Sequence, residues 1–319
     1  MFFLVQFALT RNKAFWEGCY FFSDVSSTSD GIRVMAQMEL SSRSPRKIFL
    51  TGSSQARQGL DARYLNSKFS KNNVTFYNLG FAKANPIDMF MLNNILLKKK
   101  PETIIYLTYV GNFYQDYDFR KMKYYFNPNI VPYLVKYLDS KTLLSHTDAF
   151  VDSFLGEVSV FYKYRSSFQK IAMVVLKDSL GIEKRFMPCL FKYRVDKPQS
   201  FFLTVIEKAH KQKFHLTKST QLSQDMFNLW AQAVLAKKIR LIVIEAPTHP
   251  LLKETYSMEL NTDFHSFLTT QARELGFIYL STENLPTFSE NEFTDFSHLN
   301  AAGRRKFTDF LENYLYEFP

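Results

Sequence analysis

The sequence predicts an α/β fold in three layers, built on a parallel sheet and carrying a large helical insertion. Three observations predict it. Short, β-rich apolar runs recur along the chain, they alternate with helical patterns, and one connection between them is about 125 residues long. Strands that are apolar nearly throughout are covered on both faces, as in parallel sheets. Strands alternating with helices make βαβ units, whose crossovers are almost always right-handed.

The first run is Lys47-Ile48-Phe49-Leu50-Thr51 and the second Val74-Thr75-Phe76-Tyr77-Asn78-Leu79. A helix follows, with Ile87, Phe90, Met91, Asn94 and Leu97 on one face. Pro86 suits its first turn, and Lys98 to Lys100 suit the negative end of its dipole. The third run is Thr103-Ile104-Ile105-Tyr106-Leu107-Thr108. Residues 113–235 then carry aromatic-rich periods such as Phe150, Phe154, Val158, Phe161, Tyr162 and Phe168. So long a structureless loop is implausible, so this stretch is expected to be mainly helical, a cap followed by the helix that re-enters the sheet. The fourth run is Ile239-Arg240-Leu241-Ile242-Val243-Ile244. A helix through Leu260, Phe264, Phe267, Leu268 and Leu275 ends at Gly276, before the weaker fifth run Phe277-Ile278-Tyr279-Leu280. The last helix spans about Ala301 to Tyr316. The expected organisation is therefore an N-terminal segment at 1–45, a core at 46–112 and 236–319, and an insertion at 113–235.

Composition bounds the function classes. A hydrophobic share of 46% excludes general disorder. Two cysteines, Cys19 and Cys189, make neither a disulfide framework nor a CxxC metal or redox pair. The net charge of +10 favours an anionic partner: nucleic acid, anionic lipid or an acidic glycan. Thirty-three Phe and 18 Tyr imply a thick core or a greasy exposed surface. The opening run Met1 to Leu9 is too short to span a membrane and lacks the basic region of a secretory signal. It reads as a buried N-terminal segment, as the tail of a membrane anchor, or as a signal remnant.

Ligands of an open parallel sheet bind beyond the carboxyl ends of its strands. Gly52-Ser53-Ser54-Gln55-Ala56 follows the first strand, Asn78-Leu79-Gly80 the second, and Tyr109-Val110-Gly111-Asn112 the third. Asp295-Phe296-Ser297-His298-Leu299-Asn300 precedes the last helix. Singly each is weak: an Asn after a strand is usually a turn residue, and Asp295 could simply cap the last helix. Together they give serine, glycine, asparagine and DxxH in fixed order.

In that order and placement the sequence resembles the SGNH (GDSL-like) hydrolase superfamily, over roughly residues 46–112 and 236–316. Its Gly-Ser-Ser block and long insertion look most like the branch of envelope-polysaccharide acyltransferase-like proteins that includes the D-alanine-transfer protein of lipoteichoic acid synthesis. The resemblance implies a flavodoxin-like sheet and no cofactor. It makes Ser54 the nucleophile rather than Ser53, His298 the general base, and Asp295 the group that orients His298. It places the backbone N–H groups of Ser54 and Gly80 and the side-chain amide of Asn112 in an oxyanion hole. The third block departs from the family pattern: Gly111 and Asn112 are adjacent and Phe113 is not acidic, so Asn78 and Asn85 stand as alternative donors. The implied function is ester hydrolysis or O-acyl transfer at the cell envelope or a membrane, on an acylated glycan, a lipid or a small ester. The alternative is an inactive scaffold of the same fold.

His249, in the loop after the fourth strand, is a weaker candidate for substrate contact. His210 and His215 flank Lys211 and Lys213 and read as a solvated basic face, and His146 and His265 have no ligand-like neighbours. No zinc spacing, Walker loop or GxGxxG is present. The basic-aromatic runs Arg120–Phe126 and Phe161–Arg165 could bind nucleic acid, although they match no recognition motif, and suit an amphipathic face at a membrane or glycan surface equally well.

Overall fold

In a computed structural model, described over residues 11–22, 27–41, 45–114, 117–165, 169, 218–254 and 256–317, the chain divides into two units. One comprises residues 1–43 and 118–192, the other 44–117 and 193–319. The expected features at Met1 to Leu9, Phe168, Cys189, His210 and His215 lie outside the described residues.

In chain order, helices α1 (Lys13–Phe22) and α2 (Ser27–Leu40) open the first unit. The second unit starts with strand β1 (Arg46–Gly52), helices α3 (Ser54–Gly59) and α4 (Ala62–Lys68), and β2 (Val74–Asn78). It continues through α5 (Pro86–Lys98), β3 (Thr103–Thr108) and α6 (Val110–Tyr114). The chain then returns to the first unit with α7 (Val131–Tyr137), α8 (Ser140–Ser145), α9 (Thr147–Val158) and α10 (Val160–Lys163). The second unit resumes with α11 (Lys218–Ala236), β4 (Arg240–Glu245), α12 (Pro250–Lys253), α13 (Met258–Leu275) and β5 (Ile278–Leu280). It ends with the hairpin β6 (Phe293–Asp295) and β7 (His298–Leu299) and with α14 (Ala301–Glu317).

Five strands form one sheet in the order β2-β1-β3-β4-β5, every pair parallel. This is an α/β architecture consistent with a flavodoxin-like fold. The chain leaves β1 towards β2 and then crosses back to β3, so the order reverses between β1 and β3, where open α/β sheets bind ligands. Residues in register, such as Leu50 with Asn78 and Thr108 with Glu245, align the strand ends.

Alternation along the strands sends side chains to two faces. On one face Ile48, Leu50, Ile105, Leu107, Ile242 and Ile244 pack with Phe307, Leu311 and Leu315 of α14, with Ala56 of α3, with Leu60 just after it and with Leu65 of α4. On the other, Tyr106 packs its ring 5.1 Å from Trp230 and 6.2 Å from Phe227 of α11. Phe227 also meets Phe113, Phe267 and Phe277. Phe113, where the sequence pattern lacks its acidic residue, is thus a buried member of this aromatic cluster. Such ring pairs contribute about 0.5–1.5 kcal/mol each beyond their area. The phenol of Tyr114 donates to Asp263 at 2.5 Å, and the Gln224 amide donates to the same oxygen, tying α6, α11 and α13 together.

Helix ends follow the local signals. Asn85 and Asp88 form a reciprocal capping box around Pro86. Ser257 caps α13, and Gly276 ends it with φ +83°. At α14 the cap is Asn300, whose Oδ1 accepts from the N–H groups of Ala302 and Gly303. Asp295 is therefore not the cap of that helix.

In the first unit α1 packs on α2, and α9 packs on the 3-10 turn Phe119–Tyr124 and on α10. Phe15, Trp16 and Tyr164 form a mutual edge-on trio. His146 stacks on Phe119 at 4.5 Å. Cys19 is fully buried. Among the described residues no helix is long and apolar enough to cross a membrane.

Candidate active site

The turn from β1 into α3 is built by Gly52, Ser53 and Ser54. Gly52 has φ +126°, and a β-carbon there would lie 2.2 Å from the Leu107 carbonyl oxygen, so only glycine fits. Ser53 is the N-cap of α3: its hydroxyl accepts from the Gln55 N–H and donates to the Gln55 side-chain oxygen, both at 3.3 Å. That leaves Ser54, the first residue of α3 and only half-buried, as the hydroxyl presented outward. A first-turn N–H has no acceptor inside its helix, so the Ser54 backbone donor is available by helix geometry.

The β6–β7 hairpin supplies the other two groups. Asp295 and His298 pair across it, joined by the two-residue turn Phe296-Ser297. His298 Nε2 lies 2.7 Å from Ser54 Oγ, and His298 Nδ1 lies 2.6 Å from Asp295 Oδ1. An ionised carboxylate only accepts, so Nδ1 carries the proton and Nε2 is the lone-pair nitrogen that faces the serine hydroxyl. Asp295 and His298 are 7% and 4% exposed, so the pair lies in a largely water-excluded setting. Ser297 adds a support that spacing alone did not reveal. Its N–H and hydroxyl donate to Asp295 Oδ1, and its oxygen lies 3.1 Å from His298 Nδ1. The packing of α3 against β7 and α14 holds serine and histidine together across 244 residues of sequence.

Gly80 sits against this turn. A β-carbon on it would lie 2.5 Å from Arg57 N, 2.9 Å from Ala56 Cβ and 3.0 Å from Ser53 O. The glycine is what lets the β2 loop approach the start of α3. Its N–H donates to Asn78 Oδ1 at 3.1 Å, so the expected oxyanion donor is engaged within the fold. The Asn78 amide nitrogen faces the carbonyls of Ala56, Arg57 and Leu60 at 2.9–3.3 Å and closes the end of α3. Asn112 is buried: its oxygen accepts from Tyr109 N–H and Thr108 Oγ1, and its amide donates to Ala84 O at 3.0 Å. It ties the β3–α6 turn to the loop before α5, with one amide hydrogen left over. Asn85 is the cap of α5.

His249 is 3% exposed and caps α12, its Nδ1 accepting from Leu251 N–H. Its backbone N–H donates to Phe296 O at 2.9 Å, and its ring stands edge-on to Phe293 and Phe296. It therefore braces the hairpin that carries Asp295 and His298. Burial holds its imidazole below the ordinary histidine range, with Glu290 opposing weakly.

A second polar group lies at the end of β4. Glu245 Oε2 accepts from Thr282 N–H and lies 3.7 Å from His265 Nδ1, which is 3.1 Å from Tyr279 Oη. Burial pushes the Glu245 carboxyl up, opposed by His265. Three positions so far apart in sequence carried no common signal.

A model of an uncharacterised protein family matches residues 148–318, more than half of the chain. The chain belongs to that family. No curated protein matches it. The family's match takes in Asp295 and His298 and begins beyond Ser54.

Proposed function

We propose that the protein is an SGNH-like serine esterase or O-acyltransferase that acts on an ester of a cell-envelope glycan or lipid. The observation that carries this reading is the unbroken chain from Ser54 Oγ through His298 to Asp295, at 2.7 and 2.6 Å. A serine hydroxyl is a weak nucleophile near neutral pH and needs an adjacent base. In the proposed reaction Ser54 Oγ attacks the acyl carbonyl as its proton passes to His298 Nε2. Asp295 stabilises the imidazolium. The tetrahedral intermediate collapses, its leaving alkoxide takes the proton from His298, and the acyl group stays on Ser54. Water or a sugar hydroxyl then gives up its proton to His298 and attacks the acyl-serine, and the second intermediate collapses as His298 returns that proton to the departing Ser54 Oγ. The Ser54 N–H, at the start of α3, supports the oxyanion. The envelope substrate class rests on the resemblance of the four sequence blocks.

The test is hydrolysis of p-nitrophenyl acetate by the parent, Ser54→Ala and His298→Ala. Each variant is expected to lose at least about 10³-fold in kcat. Equal activity in all three would reject the triad. A second reading, an inactive scaffold of the same fold, draws on the engagement of Gly80 N–H by Asn78 and of the Asn112 amide by Ala84. It predicts no turnover in the parent.

A further inference from the structure

All five strands of the sheet run the same way, so they begin at one edge, opposite the edge that carries Ser54. The segments that lead into β2, β1, β3 and β4 meet there. Arg46 Nη1 donates to Asn72 O at 3.4 Å, the Glu102 N–H to Lys47 O at 2.9 Å, and the Arg240 N–H to Glu102 O at 3.1 Å. Adjacent strands lie about 4.8 Å apart, so the four segments sit side by side within roughly 15 Å. Residues 70–73, 46–47, 98–102 and 237–240 carry nine Lys and Arg against one carboxylate, in a chain whose whole net charge is +10. That carboxylate is already engaged: Glu102 accepts from Arg46 Nε and Nη2, both at 2.7 Å. Lys71, Lys98, Lys100, Lys237 and Lys238 are exposed, and among the described residues none of the five has an ion pair. The buried Lys47 ammonium is pushed down by burial and then by Lys99 beside it, so like charges crowd this edge.

Helix dipoles account for only part of this charge. Lys98 lies in the last turn of α5, where a cation is favourable. Lys100 and Lys238 follow α5 and α11 with φ +49° and +58°, a left-handed backbone that glycine adopts at least cost. Local structure thus favours glycine where the chain carries lysine. The arrangement selects the partner. Lys71 follows α4, which packs on the α14 side of the sheet. Lys98, Lys100, Lys237 and Lys238 follow α5 and α11, which pack together on the other side. Arg46 and Arg240 come from the strands themselves. Cations from all three layers tile an end of the sandwich rather than line a groove. Among the described residues, none of the large exposed apolar side chains lies in these segments, so no ring is offered there for base stacking. Lysines are compact point charges, suited to a dense array of anionic groups without fixed geometry. We propose that this amino edge of the sheet docks electrostatically on the headgroups of an anionic lipid bilayer. Docked so, the molecule turns the carboxyl edge, with Ser54, away from the lipid. The surface is independent of the chemistry proposed at Ser54.

The experiment uses the full chain in sedimentation with vesicles of phosphatidylglycerol and phosphatidylcholine, and with phosphatidylcholine alone. The parent is expected to sediment with the anionic vesicles and much less with the neutral ones. The double variant Lys100→Gly, Lys238→Gly separates charge from structure. Glycine suits both backbone conformations, so its melting temperature is expected to be no lower than the parent's. Its partition onto anionic vesicles is expected to fall about 5-fold for each lysine removed, about 25-fold for the pair. A DNA duplex, added at a phosphate concentration equal to that of the accessible lipid, is expected to leave the parent on the vesicles. Three results would each overturn the proposal: a parent that stays in solution with anionic vesicles, a double variant that binds them as well as the parent, or a parent that leaves them for the duplex, which would make nucleic acid the occupant. The sedimentation reads this surface whether or not the protein turns over an ester, so its failure is distinct from failure at Ser54.

Discussion

His298 has one nitrogen on a carboxylate and the other on a hydroxyl, and replacing either partner tests a different part of the account. Asp295→Asn keeps an acceptor for the Ser297 N–H but can donate to Nδ1 and so favours the wrong tautomer. The expected outcome is an unchanged melting temperature with kcat reduced about 10⁴-fold, read by steady-state kinetics. Gly80→Ala tests the close approach of the β2 loop. The added carbon meets backbone at 2.5 Å, so the variant is expected to lose about 1–3 kcal/mol in urea unfolding and to lose activity with it. The positions of Ser54, Asp295 and His298 were legible because each sits beside a turn signal at a strand or helix end. The roles of Gly80 N–H and the Asn112 amide were less so. Where an amide points depends on neighbours such as Ala84 and Asn78 that no spacing rule names.

The strands could be read from the chain because β1, β3 and β4 are covered on both faces and are apolar nearly throughout. The caps of α5 and α13 were legible for the same local reason: Pro86 and Gly276 dictate backbone geometry on their own. The β6–β7 hairpin was not. Two strands of three and two residues are too short for any periodicity, and the bracing of the turn comes from His249, more than forty residues earlier. That brace makes a prediction at the scale of the element. His249→Ala removes a cap, worth about 1 kcal/mol, and the edge-on contact with Phe293 and Phe296. It is expected to raise the hairpin's mobility and lower kcat, with His249→Asn restoring the cap and part of the rate. Hydrogen exchange over residues 290–300 reads the first effect and kinetics the second.

For the molecule as a whole, two buried titratable groups give stability opposite slopes with pH. The folded protein holds His249 neutral, whereas the unfolded chain takes up a proton below its ordinary value of about 6.5. Stability from this residue is therefore full above about 6.5 and falls as pH drops towards 5. Glu245 runs the other way at lower pH: its raised carboxyl keeps a proton that the unfolded chain loses above about 4.3, so its contribution weakens as pH rises through that range. Urea unfolding at pH 7 and pH 5 is expected to show the parent losing more stability than His249→Asn. The central claim, that a distant hairpin turns Ser54 into a nucleophile, is tested most directly by intact mass after exposure to a fluorophosphonate. The account predicts a single adduct mapping to Ser54, absent in Ser54→Ala and strongly slowed in His298→Ala. An unlabelled parent, or a Ser54→Ala protein labelled as fast as the parent, would contradict it.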